Sequence, residues 1–241
     1  RQLFPNTSGA EDSSEAWGNP TASGFLLGAA APGDYIYIAI RRGPMKTPTV
    51  GTSVFGLNAR SGTGANATVT GGQVDDAVLI KNRGSAVGDL FASRLTGTGY
   101  LETSSTAAEV AAGITILQAN PWDVMDGVKV GTTSTITNAS GNTFINYLFR
   151  RAPGFFDVVA YTGTGVARTV SHNLGAVPEL MIVKKRSAAD AWVVYANNDN
   201  TDYLVLNTNA TTVDDNTIWN DTSPTSSVFT VGTNDDVNGN T

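Results

Sequence analysis

Landmarks of unlike type recur along this chain at nearly one interval. Lys81 and Lys184 stand 103 positions apart, and so do Tyr100 and Tyr203. Trp122 and Trp219 are 97 apart, and Trp17 and Trp122 are 105 apart. Short strings repeat as well. Residues 34–44 (DYIYIAIRRGP) echo residues 142–153 (NTFINYLFRRAP), and residues 77–83 (AVLIKNR) echo residues 181–186 (MIVKKR). A fixed period of this kind means tandem copies of one structural unit, each with the same core positions. The spacing therefore divides the chain into three: residues 1–44 form the C-terminal part of an incomplete repeat, 45–153 a complete repeat, and 154–241 a second repeat lacking its last strand.

The unit itself is read best in residues 142–186, where strand-like runs at 143–149, 157–162, 167–171 and 180–184 are joined by turns. Further runs at 24–28, 35–40, 49–57, 67–70, 77–81, 90–95, 100–102, 128–130, 191–195, 203–206 and 227–231 are short and bounded by Gly, Asn or Pro, as strands in a β protein are. Residues 97–99 (GTG) suit a hairpin. Thr106 and Glu109 have the spacing of a helix capping box, and Gly113 could close the helix. Six to eight short strands in about a hundred residues fit an antiparallel sandwich. The expected fold class is all-β: tandem antiparallel β-sandwich repeats of about 100 residues, with at most one short helix.

Composition supports this and excludes several functions. Charged residues make up 15% of the chain, against roughly 25% in an ordinary domain. Thr, Gly, Ser and Asn supply the polar surface, which suits pleated surfaces joined by tight turns. A net charge of −6 argues against nucleic acid, whose phosphates need clustered Lys and Arg. No apolar run reaches the ~18 residues of a membrane span, so no membrane insertion is expected. The absence of cysteine removes disulfides and thiolate metal sites. The chain starts with Arg and lacks a basic, apolar leader, so we expect a piece of a longer polypeptide.

Candidate chemistry is sparse. His172 is the single histidine; a hydrolase triad would need it as base, yet no Gly-x-Ser-x-Gly elbow presents a nucleophile, and its neighbours read as a turn. Asp123 with Asp126, or Asp214 with Asp215, could in principle cut a glycan as paired carboxylates, but neighbouring acids in turns are ordinarily solvated. The amide- and acid-rich stretches 197–202 and 234–240 offer hard oxygen ligands, so Ca2+ is the one conceivable ion; neither matches a full calcium loop, and no metal residue is assigned. No catalytic residue and no other cofactor is expected. Trp17, Trp122 and Trp219 recur with the repeat, as core plugs should. Trp192 has no tryptophan echo, so Trp192 and the nearby Tyr195 are the candidates for stacking on sugar rings, with core packing favoured for all four tryptophans. Arg41-Arg42 and Arg150-Arg151 close equivalent strands, either as carboxylate clamps between modules or as contacts to an anionic glycan; the clamp is favoured.

Tyr161-Thr162-Gly163-Thr164-Gly165, then Ser171-His172-Asn173-Leu174-Gly175, then Val177-Pro178-Glu179-Leu180-Met181-Ile182-Val183-Lys184-Lys185-Arg186, resemble a repeat of tailed-phage virion proteins. Its pattern is Y-T-G-N-G, followed by H-x-L-G-x-x-P-D/E-L, three apolar residues and K-x-R. The likeness extends through Trp192, Tyr203-Leu204 and residues 219–231, covering residue 144 to the C-terminus. Residues 41–94 look like a degenerate copy without the His-x-Leu-Gly turn. The resemblance implies a repeated β module of tail-fibre or related appendage proteins, with no catalytic residue to carry over. The expected role is structural and adhesive, at the extracellular surface of a virion. The expected partners are further copies of the chain (a homotrimer is favoured), other virion proteins and a host surface polysaccharide. A capsid-decorating or head-fibre protein is the alternative, and a glycan depolymerase a third. Residues 238–241 align with the turn before the apolar strand at 143–149. The sequence thus predicts a strand missing from the last repeat, beside residues 228–231, supplied by a continuing chain or by a neighbouring subunit.

Overall fold

The computed structural model describes residues 18–21, 24–27, 46–111, 115–132, 134–196 and 199–240. It falls into two units, residues 1–44 and 45–241. In the first, β1 (Gly18–Thr21) and β2 (Gly24–Leu27) form an antiparallel pair. Trp17, the strand expected at 35–40, and Arg41-Arg42 lie outside the described residues.

Among its described residues, the second unit is all-β apart from two four-residue helices and one 3-10 turn. Its first half contains β3 (Phe55–Ser61), β4 (Ala67–Val69), β5 (Ala77–Asn82), β6 (Leu90–Ser93), β7 (Leu101–Glu102), β8 (Val128–Val130) and β9 (Thr143–Phe149). These make an antiparallel sheet of order β3-β9-β5-β6-β7, with a two-stranded ribbon β4-β8. The second half contains β10 (Arg168–Ser171), β11 (Leu180–Lys184), β12 (Trp192–Ala196), β13 (Asp202–Val205), β14 (Val213–Asp214), α1 (Asn216–Trp219), β15 (Val228–Val231) and α2 (Asp235–Asn238). Its sheet runs β11-β12-β13-β14, and its ribbon is β10-β15.

The two halves repeat each other at the level of individual residue pairs. Ala77 faces Ser93 across β5-β6; a shift of 103 residues carries this pair onto Leu180 and Ala196 across β11-β12. The same shift carries Leu90↔Glu102 and Phe91↔Leu101 onto Val193↔Val205 and Val194↔Leu204. In the ribbons a shift of 101 carries Ala67↔Val130 and Val69↔Val128 onto Arg168↔Val231 and Val170↔Phe229. A one-residue slip would turn every inward side chain outward, so identical register implies identical core positions. Lys81 and Lys184 are equivalent by this register, as are Tyr100 and Tyr203. Trp122 and Trp219 are not. Gly131 N–H donates to Ile116 O in the first repeat and Gly232 N–H to Ile218 O in the second, which places buried Leu117, not Trp122, where Trp219 stands.

Each repeat closes on one buried asparagine. Asn138 Nδ2 donates to Ala65 O at 2.6 Å and Gly131 O at 2.9 Å, and its Oδ1 accepts from Thr63 N–H at 3.1 Å. Asn238 Nδ2 donates to Val166 O and Gly232 O, both at 2.7 Å, while Oδ1 accepts from Thr164 N–H at 3.0 Å. Their own carbonyls accept from Gly64 and Gly165. The Gly-x-Gly before each ribbon exists for this contact. A Cβ on Gly62 or Gly163 would stand 2.0 or 2.1 Å from the carbonyl oxygen following the asparagine, and Gly64 and Gly165 both have φ of +68°.

Apolar residues from sheet and ribbon meet above this clamp. Val69, Val78, Ile80, Leu90, Val128, Val130, Phe144 and Leu148 are fully buried in the first core. Val170, Val193, Ile218, Trp219, Phe229 and Val231 build the second.

Three expectations fail. The capping-box helix at 106–109 does not form; Val110 bridges Tyr100 instead, and Glu109 is drawn to Arg186. The helices sit where Asp215 and Asn234 accept from the backbone amides of Thr217 and Asp236, as N-caps. Residues 157–162, expected as a strand, are extended but unpaired; the strand expected to be missing beside 228–231 is not missing there, because β15 pairs with β10 as β8 does with β4 in the first repeat.

Asn138→Ala and Asn238→Ala should each lower unfolding stability by ~2–4 kcal/mol, since each strands three or more buried polar groups. Asn→Asp at either site should do no better, because a carboxylate cannot donate to the two carbonyls. Urea midpoints within error of the parent would show that the clamp is dispensable.

Candidate functional site

Two places gather unlike side chains: the junction between the repeats, and a cleft beside Trp122. The junction forms where residues 102–110 of the first repeat meet 186–192 of the second. Arg186 makes a two-pronged ion pair with Glu109, and the Glu109 N–H donates to Arg186 O at 2.9 Å. Asp190 N–H donates to Thr106 O. Trp192 then inserts: its Nε1–H reaches Glu102 O at 3.1 Å and Ser105 O at 3.0 Å, and Phe91 lies edge-on to its ring.

Trp192 is therefore interior, with only 4% of its surface exposed, and Tyr195 at 5% packs edge-to-face on Trp219. Neither ring offers a face to a sugar, which corrects the expectation that they stack on glycan.

Arg151 behaves as a clamp. Its Nε lies 2.5 Å from Asp157 Oδ1, and Asp157 also accepts from the backbone N–H of Val158 and Asn173. Arg150 lines a hollow of about 200 Å3 with Lys46, Pro48 and Val54. His172 is consumed by its turn. A proton on Nε2 lets it donate to Thr225 O at 3.1 Å while Nδ1 accepts from Leu174 N–H. The paired acids are also separately employed. Asp126 accepts from Gly71 and Gly72, and Asp215 caps α1. Of the oxygen-rich stretch 234–240, Asn234 caps α2, Asn238 is the clamp, and Asp235 holds Lys185 at 2.5 Å. Among the described residues no group of three or more His, Asp or Glu could hold a metal ion.

The open cleft of about 440 Å3 is lined by Arg94, Gly97, Thr98, Asn120, Pro121, Trp122 and Asp123. Arg94 is held over the Trp122 ring at 5.8 Å and tied to Asp76, to Asp75 O and to Trp122 O. Trp122 is itself pinned through Nε1 to Gly97 O. The sequence marks only Trp122 and Asp123 here. Asn120, at φ +51°, carries no mark in the sequence. A hydroxyl, an amide, a carboxylate and a guanidinium around an open cleft can exchange hydrogen bonds with a polar ligand. They do not make a nucleophile–base pair.

Beneath the cleft, Asp75 is buried with its Oδ2 unpartnered. Burial foremost, with Asp126 and Asp76 adding repulsion against a bond from Gln73, pushes its carboxyl up to about 6.

With this geometry in place, comparison with known proteins adds one match. Residues 152–241 match a family model described as a domain of unknown function (DUF7483). No curated protein matches the chain, and no solved structure does. The matched span coincides with the second repeat and contains the clamp Asn238 and the Gly163-Thr164-Gly165 turn.

Trp192→Phe should destabilise more than Trp219→Phe, by ~1 kcal/mol. The first strands two carbonyls, whereas the Trp219 Nε1–H has no partner to lose. Parallel thermal melts decide this, and equal losses would remove the junction's claim to a hydrogen-bonding role. Asp75→Asn should stabilise at neutral pH by ~1 kcal/mol, after discounting a two-unit shift for solvent screening. Below its ordinary value of 3.8 the carboxyl is protonated folded and unfolded alike. From there to about 6 the folded chain holds the proton more tightly, so parent stability falls as pH rises through that window. Urea titrations from pH 3.5 to 7.5 should show this slope in the parent and its reduction in the variant.

Proposed function

We propose that the chain is a structural and adhesive module of a tailed-phage virion appendage, in which β-sandwich repeats act as rigid spacers and present a surface to the host. The observation carrying this reading is the repetition itself: two copies with one register and one clamp, joined by an ion pair, paired amides and an inserted Trp192. Such a joint fixes the angle between modules, as a fibre shaft needs. The phage assignment rests on residues 161–186, whose Tyr-Thr-Gly-x-Gly, His-x-Leu-Gly and Pro-Glu-Leu elements resemble the virion repeat.

The low charge and the edge strands favour closed symmetric assembly over open-ended pairing, and a trimer follows from the fibre resemblance. The Trp122 cleft is the surface we assign to host polysaccharide contact. On this reading the chain is not an enzyme and needs no cofactor.

Antibody or gold labelling of virions should place the chain on the tail; a uniform label over the capsid would favour the decoration reading. In solution, sedimentation should give a trimer, and a monomer at high concentration would count against it. Asn120→Gly with Asp123→Ala should abolish retention on host capsular polysaccharide while leaving the melting temperature unchanged, because glycine adopts the positive φ of residue 120 without strain. Release of reducing ends from that polysaccharide by the parent chain would instead establish a depolymerase.

A further inference from the structure

The two repeats differ in one respect that their common register makes measurable. In the first, β9 lies between β3 and β5, pairing Gly56 through Leu148 to Val78, and Ala59 through Ile145 to Lys81. In the second, among the described residues, β11 is the last strand of its sheet and only its β12 side is paired. Residues 157–162 occupy the place of β3 by the ribbon shift of 101. They carry no backbone-to-backbone bond at 159–161 among the described residues, and Val159 and Tyr161 rest on the same core as Met181 and Val183.

The burial follows suit. Val78 and Ile80 of β5 are wholly covered, while their equivalents Met181 and Val183 are only half-buried, and Leu180 and Ile182 are 60% and 45% exposed. The second core also lacks anything equivalent to Phe144 and Leu148, both at zero exposure in the first. Both walls of the slot are present. What differs is the strand between them.

We propose that the free edge of β11 and the extended segment 157–162 form a binding slot for one added antiparallel β-strand of β9 chemistry. The occupant has large apolar side chains at two inward positions four residues apart, with a polar residue inward between them, as Phe144, Asn146 and Leu148 are placed on β9. It enters as β9 does, a few residues beyond the asparagine that closes the repeat. In the register of β5 with β9, its Leu148 equivalent covers Met181 and its Asn146 equivalent covers Val183. The α2 helix does not obstruct it: the Lys185–Asp235 pair takes the place of the Asn82 bond to Thr135 O, which coexists with β9 in the first repeat. Main-chain bonds on both sides of the strand would supply affinity and the alternate pockets specificity, as in strand addition generally.

The test is to extend the full chain after Thr241 with a second copy of residues 142–151 and to follow backbone amide exchange by NMR. Exchange of the outward β11 amides and of 159–161 should slow by roughly tenfold or more, with a raised melting temperature. A control extension with Ser in place of the Phe144 and Leu148 equivalents should give neither change. Unaltered exchange in the first extension, or equal protection by the control, overturns the proposal. So does concentration-dependent protection of β11 in the unextended chain with dimer formation, because the slot would then belong to a second copy. None of these readouts depends on where the chain sits in a virion.

Discussion

The fold rests on one side-chain amide per repeat. The ribbons β4-β8 and β10-β15 are only three or four residue pairs long, and so short a pair is unstable alone in water. Each ribbon begins and ends in turns whose carbonyls and amides point inward, where an unmet group costs ~1–3 kcal/mol. An asparagine supplies donors and an acceptor together, so one residue satisfies Ala65 O, Gly131 O and Thr63 N–H in the first repeat, and Val166 O, Gly232 O and Thr164 N–H in the second. Once the turn is fixed, Val69 and Val128, or Val170 and Phe229, are held facing the sheet, and the core follows. The next layer of the contact varies. Arg60 donates to Thr137 O in one repeat, and Tyr161 Oη–H donates to Val237 O at 2.6 Å in the other. Different side chains reach the equivalent carbonyl, so the carbonyl's need for a partner outlasts the identity of the group that meets it.

Much of the sheet was legible because strands leave a local mark. The runs at 67–70, 77–81, 90–95, 128–130, 143–149, 180–184 and 227–231 each became strands within a residue or two, and the Lys81–Lys184 interval is the register shift of the sheets. The clamp was not legible. Asn138 and Asn238 sit in polar turns, where asparagine ordinarily serves its own backbone, and nothing local says that these two are buried. Glu109 misled for the opposite reason: its spacing from Thr106 is locally meaningful, but a partner 77 residues away in Arg186 outweighs a cap on a helix of two turns. Trp192 misled because a missing echo reads as a surface residue, whereas it marks a contact that a repeat makes with its neighbour rather than with itself. The Trp122–Trp219 interval of 97, against 103 for the other markers, was the available sign that those two are not equivalent.

The composition takes its meaning from the same geometry. Charges are few, and the ones that matter are spent internally: Arg94 on Asp76, Arg151 on Asp157, Arg186 on Glu109, and Lys185 on Asp190 and Asp235. Two of these pairs, Arg151–Asp157 and Arg186–Glu109, bridge the repeats. Exposed single pairs add little to stability, yet an Arg fork on a carboxylate fixes direction as well as distance, and direction is what a joint between rigid bodies requires.

The same joint explains why the second repeat tolerates an open edge. In the first repeat β9 supplies Phe144 and Leu148 to the core. The second replaces part of that volume with Trp219, Tyr195 and Phe229; Tyr195 meets Trp219 edge-to-face, and Phe229 meets Tyr161. Large aromatic rings cover area that an absent strand would otherwise fill. They cannot supply its backbone groups. The apolar deficit is thus met only in part from within the repeat, since Met181 and Val183 stay half-buried, and among the described residues the hydrogen-bonding deficit along β11 is left standing. A fold that covers most of its core with its own rings, and still needs both main-chain partners and apolar cover over Met181 and Val183, is stable alone and selective for an incoming strand.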